Sequence, residues 1–92
     1  MIRLIIGPRL GKSLAKLPQQ ATAEAERRLS GVMEQFGNPH AHAGLGLRKI
    51  GPHSYECRIW LQWRIVLIDR GDCLFAFDVM NHDEVRRWLR GH

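Results

Sequence analysis

The stretch from Leu47 to Trp88 constrains the fold most, because apolar and polar residues alternate through three successive segments separated by short breaks. In YECRIW, Tyr55, Cys57 and Ile59 fall on one parity, and Glu56, Arg58 and Trp60 on the other. In WRIVLI, Trp63, Ile65 and Leu67 form the apolar parity, with Arg64, Val66 and Ile68 opposite. In LFAFDVM the same rule assigns Phe75, Phe77 and Val79 to the covered face, and Ala76 and Asp78 to the other. Three short strands in succession result, with Arg70–Gly71–Asp72 as the turn between the last two. The loop between the first two decides more. A three-residue loop, Trp60–Leu61–Gln62, sets Arg58 and Arg64 nearly opposite each other on one face, whereas a two-residue loop would separate them. The three-residue loop is the expectation.

Asn81 closes the strand region, with Glu84 three residues on, an Asn-x-x-Glu version of the capping box that predicts a helix start. Val85, Trp88 and Leu89 give that short helix a packing edge. Arg86, Arg87 and Arg90 lie outward and favour its C-terminal end electrostatically. His82 falls at the first helical position, where the helix N-terminus disfavours the imidazolium and favours a proton-accepting ring.

A sheet with one greasy face needs a cover, and the first half of the chain supplies it. Ile2–Ile6 is a β-branched apolar run ended by Gly7–Pro8, which suits a short strand. The following GPRLGKS has the flavour of a phosphate loop, but three residues rather than four separate Gly7 and Gly11, so a plain turn into a helix is expected. Leu10, Leu14 and Leu17 recur at helical spacing up to Pro18. From about Gln19 to Phe36, a second helix carries Ala21, Ala25, Leu29, Val32, Met33 and Phe36 as one apolar stripe, and Gly37–Asn38–Pro39 stops it. The pair reads as a helical hairpin laid on the sheet. NPHAHAGLG then reads as a small-residue connecting loop. Its His40 and His42 could begin a metal site with His53, His82 or a cysteine, but no second tight ligand pair exists, so no metal is expected.

Ninety-two residues allow one domain, 1–92, with a single core. No apolar run is long enough to span a bilayer, and Met1–Gly7 lacks the pattern of a signal peptide, so a cytoplasmic location without membrane contact is expected. Cys57 and Cys73 sit inside strands, as buried free thiols would. The formal charge of +5 favours an acidic partner such as nucleic acid, an anionic surface or an acidic protein segment.

Arginines gathered on an open sheet face, with a histidine and one carboxylate, suit phosphodiester chemistry on RNA without a metal or other cofactor. Guanidinium stays protonated, so Arg58 and Arg64 would clamp the phosphate, while His82 and Glu56 are the groups able to move protons. Arg48 and Lys49 would hold the RNA backbone and Trp60 would stack on a base.

With LRKI, YECRI, QWRIVL and NHDEV following a strand and two helices, the chain resembles the RelE/ParE superfamily of small bacterial toxins from type II toxin–antitoxin systems. The resemblance implies an α+β fold, N-terminal strand, helical hairpin, antiparallel sheet and short C-terminal helix (βααβββα). It also implies a co-expressed antitoxin as partner. The RelE-like branch implies a ribosome-dependent messenger-RNA endonuclease, an mRNA interferase that inhibits translation. The ParE-like branch implies a non-enzymatic inhibitor of DNA gyrase. A degenerate member would be only a toxin-fold binding module. Arg58, Arg64 and Lys49 match basic positions of the family's strands, and His82 lies near a histidine or arginine position close to the chain end. Glu56 departs from the pattern, standing where the ribonuclease branch has a lysine. The ribonuclease is the expected function.

Overall fold

The alternation in the second half of the chain folds as an antiparallel meander, and the computed structural model describes it within residues 1–91. In chain order the elements are β1 (Arg3–Ile6), α1 (Pro8–Leu14), α2 (Gln19–Gln35), α3 (Pro39–Leu45), β2 (Leu47–Lys49), β3 (Ser54–Trp60), β4 (Trp63–Asp69), β5 (Cys73–Asn81) and α4 (His82–Arg90). Strands β2 to β5 pair antiparallel, each with its chain neighbour. Strand β1 joins the far side of β5 in parallel, so the five strands run β1-β5-β4-β3-β2. The class is α+β as expected, but the sheet is mixed rather than antiparallel throughout. A parallel pair needs a long connection, and the chain from Gly7 to Asp72 provides one.

Pro8 occupies the first turn of α1, where its missing N–H is no loss. Gly7 is required just before it: a Cβ there would lie 2.7 Å from Phe75 Cζ and 2.9 Å from the Ala76 carbonyl oxygen. This turn is therefore packed against β5, as a plain strand-to-helix junction. Helix α1 lies on β5 and α2 on β3, each pressing its apolar stripe onto one sheet face. Ala21, Ala25, Leu29 and Val32 are buried there, and Cys57, Ile59, Ile65 and Leu67 meet them from the sheet. Both cysteines are buried and free. Burial pushes the Cys57 thiol up to about 11. On the opposite face α4 covers a smaller cluster of Val66, Met80 and Val85, flanked by Ile50, Phe77, Trp88 and Leu89.

The segment Pro39–Leu45, expected as part of a loop, is helix α3. Pro39 starts it and Gly46, in the left-handed conformation at φ +73°, ends it. His42 is used structurally within this helix. Its Nε2 accepts the Gly37 backbone N–H at 3.1 Å, and its ring stacks on Phe36 with centroids 5.7 Å apart. Among the described residues, no three His, Cys, Asp or Glu side chains gather as a metal site would require.

Two bulges reassign faces. Between β4 and β5 the register passes from Val66 opposite Asp78 to Leu67 opposite Ala76, leaving Phe77 as the extra residue. Leu74 and Ala76 therefore enter the main core, and Val79 rejoins it beyond the bulge. Phe75 and Phe77 do not take the core positions expected of them. Phe75 carries the Arg70 guanidinium 4.0 Å from its ring centroid, and Phe77 packs beside Trp88 under α4. The second bulge lies between β3 and β4. Leu61–Gln62 is a two-residue turn, with Trp60 opposite Trp63, and the register shift between Arg58 and Trp60 then brings Arg58 opposite Arg64. The juxtaposition was expected from a longer loop; a shorter loop and an extra residue achieve it. Among the described residues, no helix is long and apolar enough to cross a membrane.

Candidate functional site

Residues from six elements meet around an open concavity of about 730 Å³, among them Arg48 of β2, Glu56 and Arg58 of β3, Arg64 of β4, His82 of α4 and Arg28 of α2. Ala43, Gly44 and Gly46 form part of its rim. Strand pleat explains the first four. Leu47 is buried on the helix-covered side, so Arg48 points to the other face. Arg48 is directly opposite Glu56, and Arg58 directly opposite Arg64, so all four side chains share that face.

Glu56 organises this group. It is only 6% exposed, and Arg48 Nη2 donates to its Oε1 at 2.8 Å. Arg64 Nε lies 3.5 Å from the other oxygen, Oε2, and Arg64 Nη1 donates to the Gln62 carbonyl at 3.1 Å. The Arg64 guanidinium is thus fixed at two edges while its side chain is largely covered. Arg58 is exposed and, among the described residues, forms no ion pair. Two guanidinium groups directly opposite each other repel, and an anion placed between them would relieve that repulsion. Three arginines around one carboxylate leave the sheet side of the concavity net positive.

His82 is exposed at the rim, and its backbone is held by the cap that the sequence signalled. The Glu84 N–H donates to Asn81 Oδ1 at 2.9 Å, and the Asn81 N–H donates to Glu84 Oε1 at 2.9 Å. This reciprocal pair fixes where α4 begins and so where its first residue stands.

The second wall was not foreseen. Arg28 Nε donates to Glu24 Oε1 at 2.8 Å and Nη1 to the Leu45 carbonyl at 2.8 Å, which ties α2 to the end of α3. The Arg28 guanidinium, and then that of Arg27, holds the Glu24 carboxyl below its ordinary value. Gly46 is needed at this joint, since a Cβ would stand 2.8 Å from Arg28 Nη1 and 3.2 Å from the Arg58 carbonyl oxygen. Arg28 carries no local signal; its Glu24 partner at i−4 could be read from the sequence, but its approach to Leu45 depends on α3, which reads as loop.

Two expected contacts lie elsewhere. Lys49 is one residue past Arg48 and so faces the other way, opposite Tyr55, which packs against the main core. Trp60 stands beyond the bulge, opposite Trp63, and the extra residue turns it off the face carrying Glu56 and Arg58. Arg48, Glu56, Arg58, Arg64 and His82 are brought together as expected.

No family model matches the chain, and no curated protein matches it. Among solved structures, it is similar to a chain of the crystal structure of the RelB-RelE antitoxin-toxin complex from Methanococcus jannaschii, with a TM-score of 0.58 at 18% sequence identity. The similarity covers 91% of this chain and 96% of that one, and it shows a fold shared with one component of a toxin–antitoxin complex.

Proposed function

We propose that this chain is the toxin of a type II toxin–antitoxin system and that it cuts messenger RNA on the ribosome without a metal. The observation that carries the reading is the convergence of Arg48, Arg58, Arg64, Glu56 and His82 on one open, positively charged concavity. In this reading a phosphodiester lies between Arg58 and Arg64. His82 accepts the proton of the adjacent 2′-hydroxyl, and the 2′-oxygen attacks phosphorus to give a 2′,3′-cyclic phosphate. The phosphorus–5′-oxygen bond breaks, and the 5′-oxygen takes a proton from water admitted by the open site. The two guanidinium groups stabilise negative charge as it builds on the phosphate oxygens, so the positive charge comes from side chains alone.

Glu56 is better placed to position than to transfer protons, because both its oxygens face arginines. Its role here is to hold Arg64 and Arg48 in place. The partner that silences the site is an antitoxin protein; the similar fold in an antitoxin-toxin complex supports that assignment. A messenger-RNA substrate on the ribosome places the protein in the cytoplasm.

Induced expression in a bacterial host tests the reading, with wild type beside Arg64→Ala and His82→Ala and with new 5′ ends mapped on translated messages. Cuts within codons that vanish in both variants, each verified as folded by circular dichroism, are the expected result. Growth arrest without cuts would refute the nuclease and direct attention to a protein target such as gyrase. Absence of arrest would leave a toxin-fold binding module.

A further inference from the structure

Helix α4 does more than cover the sheet and present His82. Beyond His82 its solvent face carries Arg86, Arg87 and Arg90, all exposed, around a recess of about 320 Å³ shared with Asp83. None of the three forms an ion pair with a described residue. Asp83 leaves this face with an excess of two positive charges over about two turns of helix. The buried edge of α4 is Val85, with Trp88 and Leu89 packed beside it, so these arginines are not needed to hold the helix on the sheet.

Position matters as much as charge. His82, Arg86 and Arg90 follow one another at intervals of four, a stripe that begins in the concavity and runs along the helix for about 12 Å. A single strand carries one negative charge per nucleotide, so a backbone that leaves the concavity along this stripe brings successive phosphates to successive basic groups. An acidic helix can match the same interval of four, so it is the continuity of the stripe with the concavity that favours RNA. A polyanion already threaded past His82 would meet the stripe as its next charged surface.

We propose that the Arg86–Arg90 face of α4 is a second RNA-binding surface that holds the backbone of nucleotides flanking the one in the concavity. This rests on the RNA-cleaving reading of the concavity, yet it can fail separately. Purified protein is titrated onto a fluorescent single-stranded 14-nucleotide RNA of mixed sequence across a series of potassium chloride concentrations. Wild type, Arg64→Ala and the double variant Arg86→Gln/Arg90→Gln are compared. Glutamine preserves helix propensity, and thermal unfolding verifies that the double variant remains folded.

Each lost phosphate contact on a single strand lowers the slope of log K against log salt by about 0.7, so the double variant is expected to lose about 1.4. Arg64→Ala should lose its own increment from an intact α4. An unchanged slope in the double variant beside a reduced slope in Arg64→Ala would overturn the α4 surface and leave the concavity reading standing. Unchanged RNA binding with lost binding to polyglutamate would overturn it in favour of an acidic protein partner. Failure of wild type to bind the RNA would also overturn it, while the mapping of cuts on the ribosome would judge the nuclease reading independently.

Discussion

Glu56→Gln puts the organisation of the concavity to a quantitative test. Glutamine keeps the shape and one acceptor but removes the charge that faces Arg64 Nε at 3.5 Å and Arg48 Nη2 at 2.8 Å. The two bonds are not equivalent. Arg48 has a side chain 68% exposed, so water screens its charge and its pairing contributes about 0.5 kcal/mol. Arg64 has a side chain only 13% exposed, and its gross attraction to Glu56 at 3.5 Å with an effective dielectric constant near 20 is about 5 kcal/mol. Desolvation of both ions offsets much of this, while removal of one partner leaves the other charge covered and uncompensated. Glu56→Gln should therefore destabilise the protein by about 2 to 3 kcal/mol, which is less than a fully buried pair would lose because the concavity admits water. Arg64→Met should cost about 1 to 2 kcal/mol, since Arg48 still faces the carboxylate. Together they should cost about 1.5 kcal/mol less than their sum, because the double variant strands no charge. Urea unfolding followed by tryptophan fluorescence measures all four corners of the cycle. Additivity within about 0.3 kcal/mol would refute the view that Glu56 and Arg64 form one unit.

Three further outcomes follow from the local geometry. Gly46→Ala should lower stability by about 1 to 3 kcal/mol, because alanine resists a φ of +73° and its methyl group meets Arg28, whereas Gly44→Ala, facing open space, should be neutral or slightly stabilising; the two melting temperatures decide. The Cys57 thiol is raised from 9.0 to about 11, so between those pH values the unfolded chain has released its proton and the folded chain has not. Stability should fall by about 2 to 3 kcal/mol across that window, and the difference between wild type and Cys57→Ala in urea titrations at pH 8 and pH 11 isolates the effect. Asn81→Ala removes the reciprocal cap, so it should cost about 1 kcal/mol and lower any cleavage that depends on His82 by more than that loss of stability explains.

The sheet side of the site was legible because pleat and capping are local rules. Residues two apart share a face, and Asn81 with Glu84 marks a helix start without reference to the rest of the fold. The reading fails where a residue count is changed by packing. Phe77 is the extra residue of β5, and nothing in LFAFDVM distinguishes it from a regular strand position; Leu74 and Ala76 take the core because Leu67 meets Ala76. Lys49 fails for a simpler reason, since it adjoins Arg48 and strict alternation should have excluded it. The α3 helix is weakly signalled by Pro39 and Gly46, but its interior contains Gly44 and two histidines, and its place depends on Arg28, His42 and Phe36. Parallel pairing of β1 with β5 joins residues about 70 apart in the chain, and no local pattern records it.

The shift between Arg58 and Trp60 acts on the hairpin as a frameshift acts on a message. With the Leu61–Gln62 turn and no extra residue, Arg58 would stand opposite Ile65 rather than Arg64, and every residue from Ser54 to Arg58 would pass to the opposite face of the sheet. Glu56 would enter the apolar layer and Cys57 would leave it. What the strand spells is therefore set by counting as much as by composition. A one-residue deletion at Ile59 should erase the concavity while leaving its arginines, glutamate and histidine all present in the chain, and a relative with an identical set of charged residues but a different count at this turn would present a different surface.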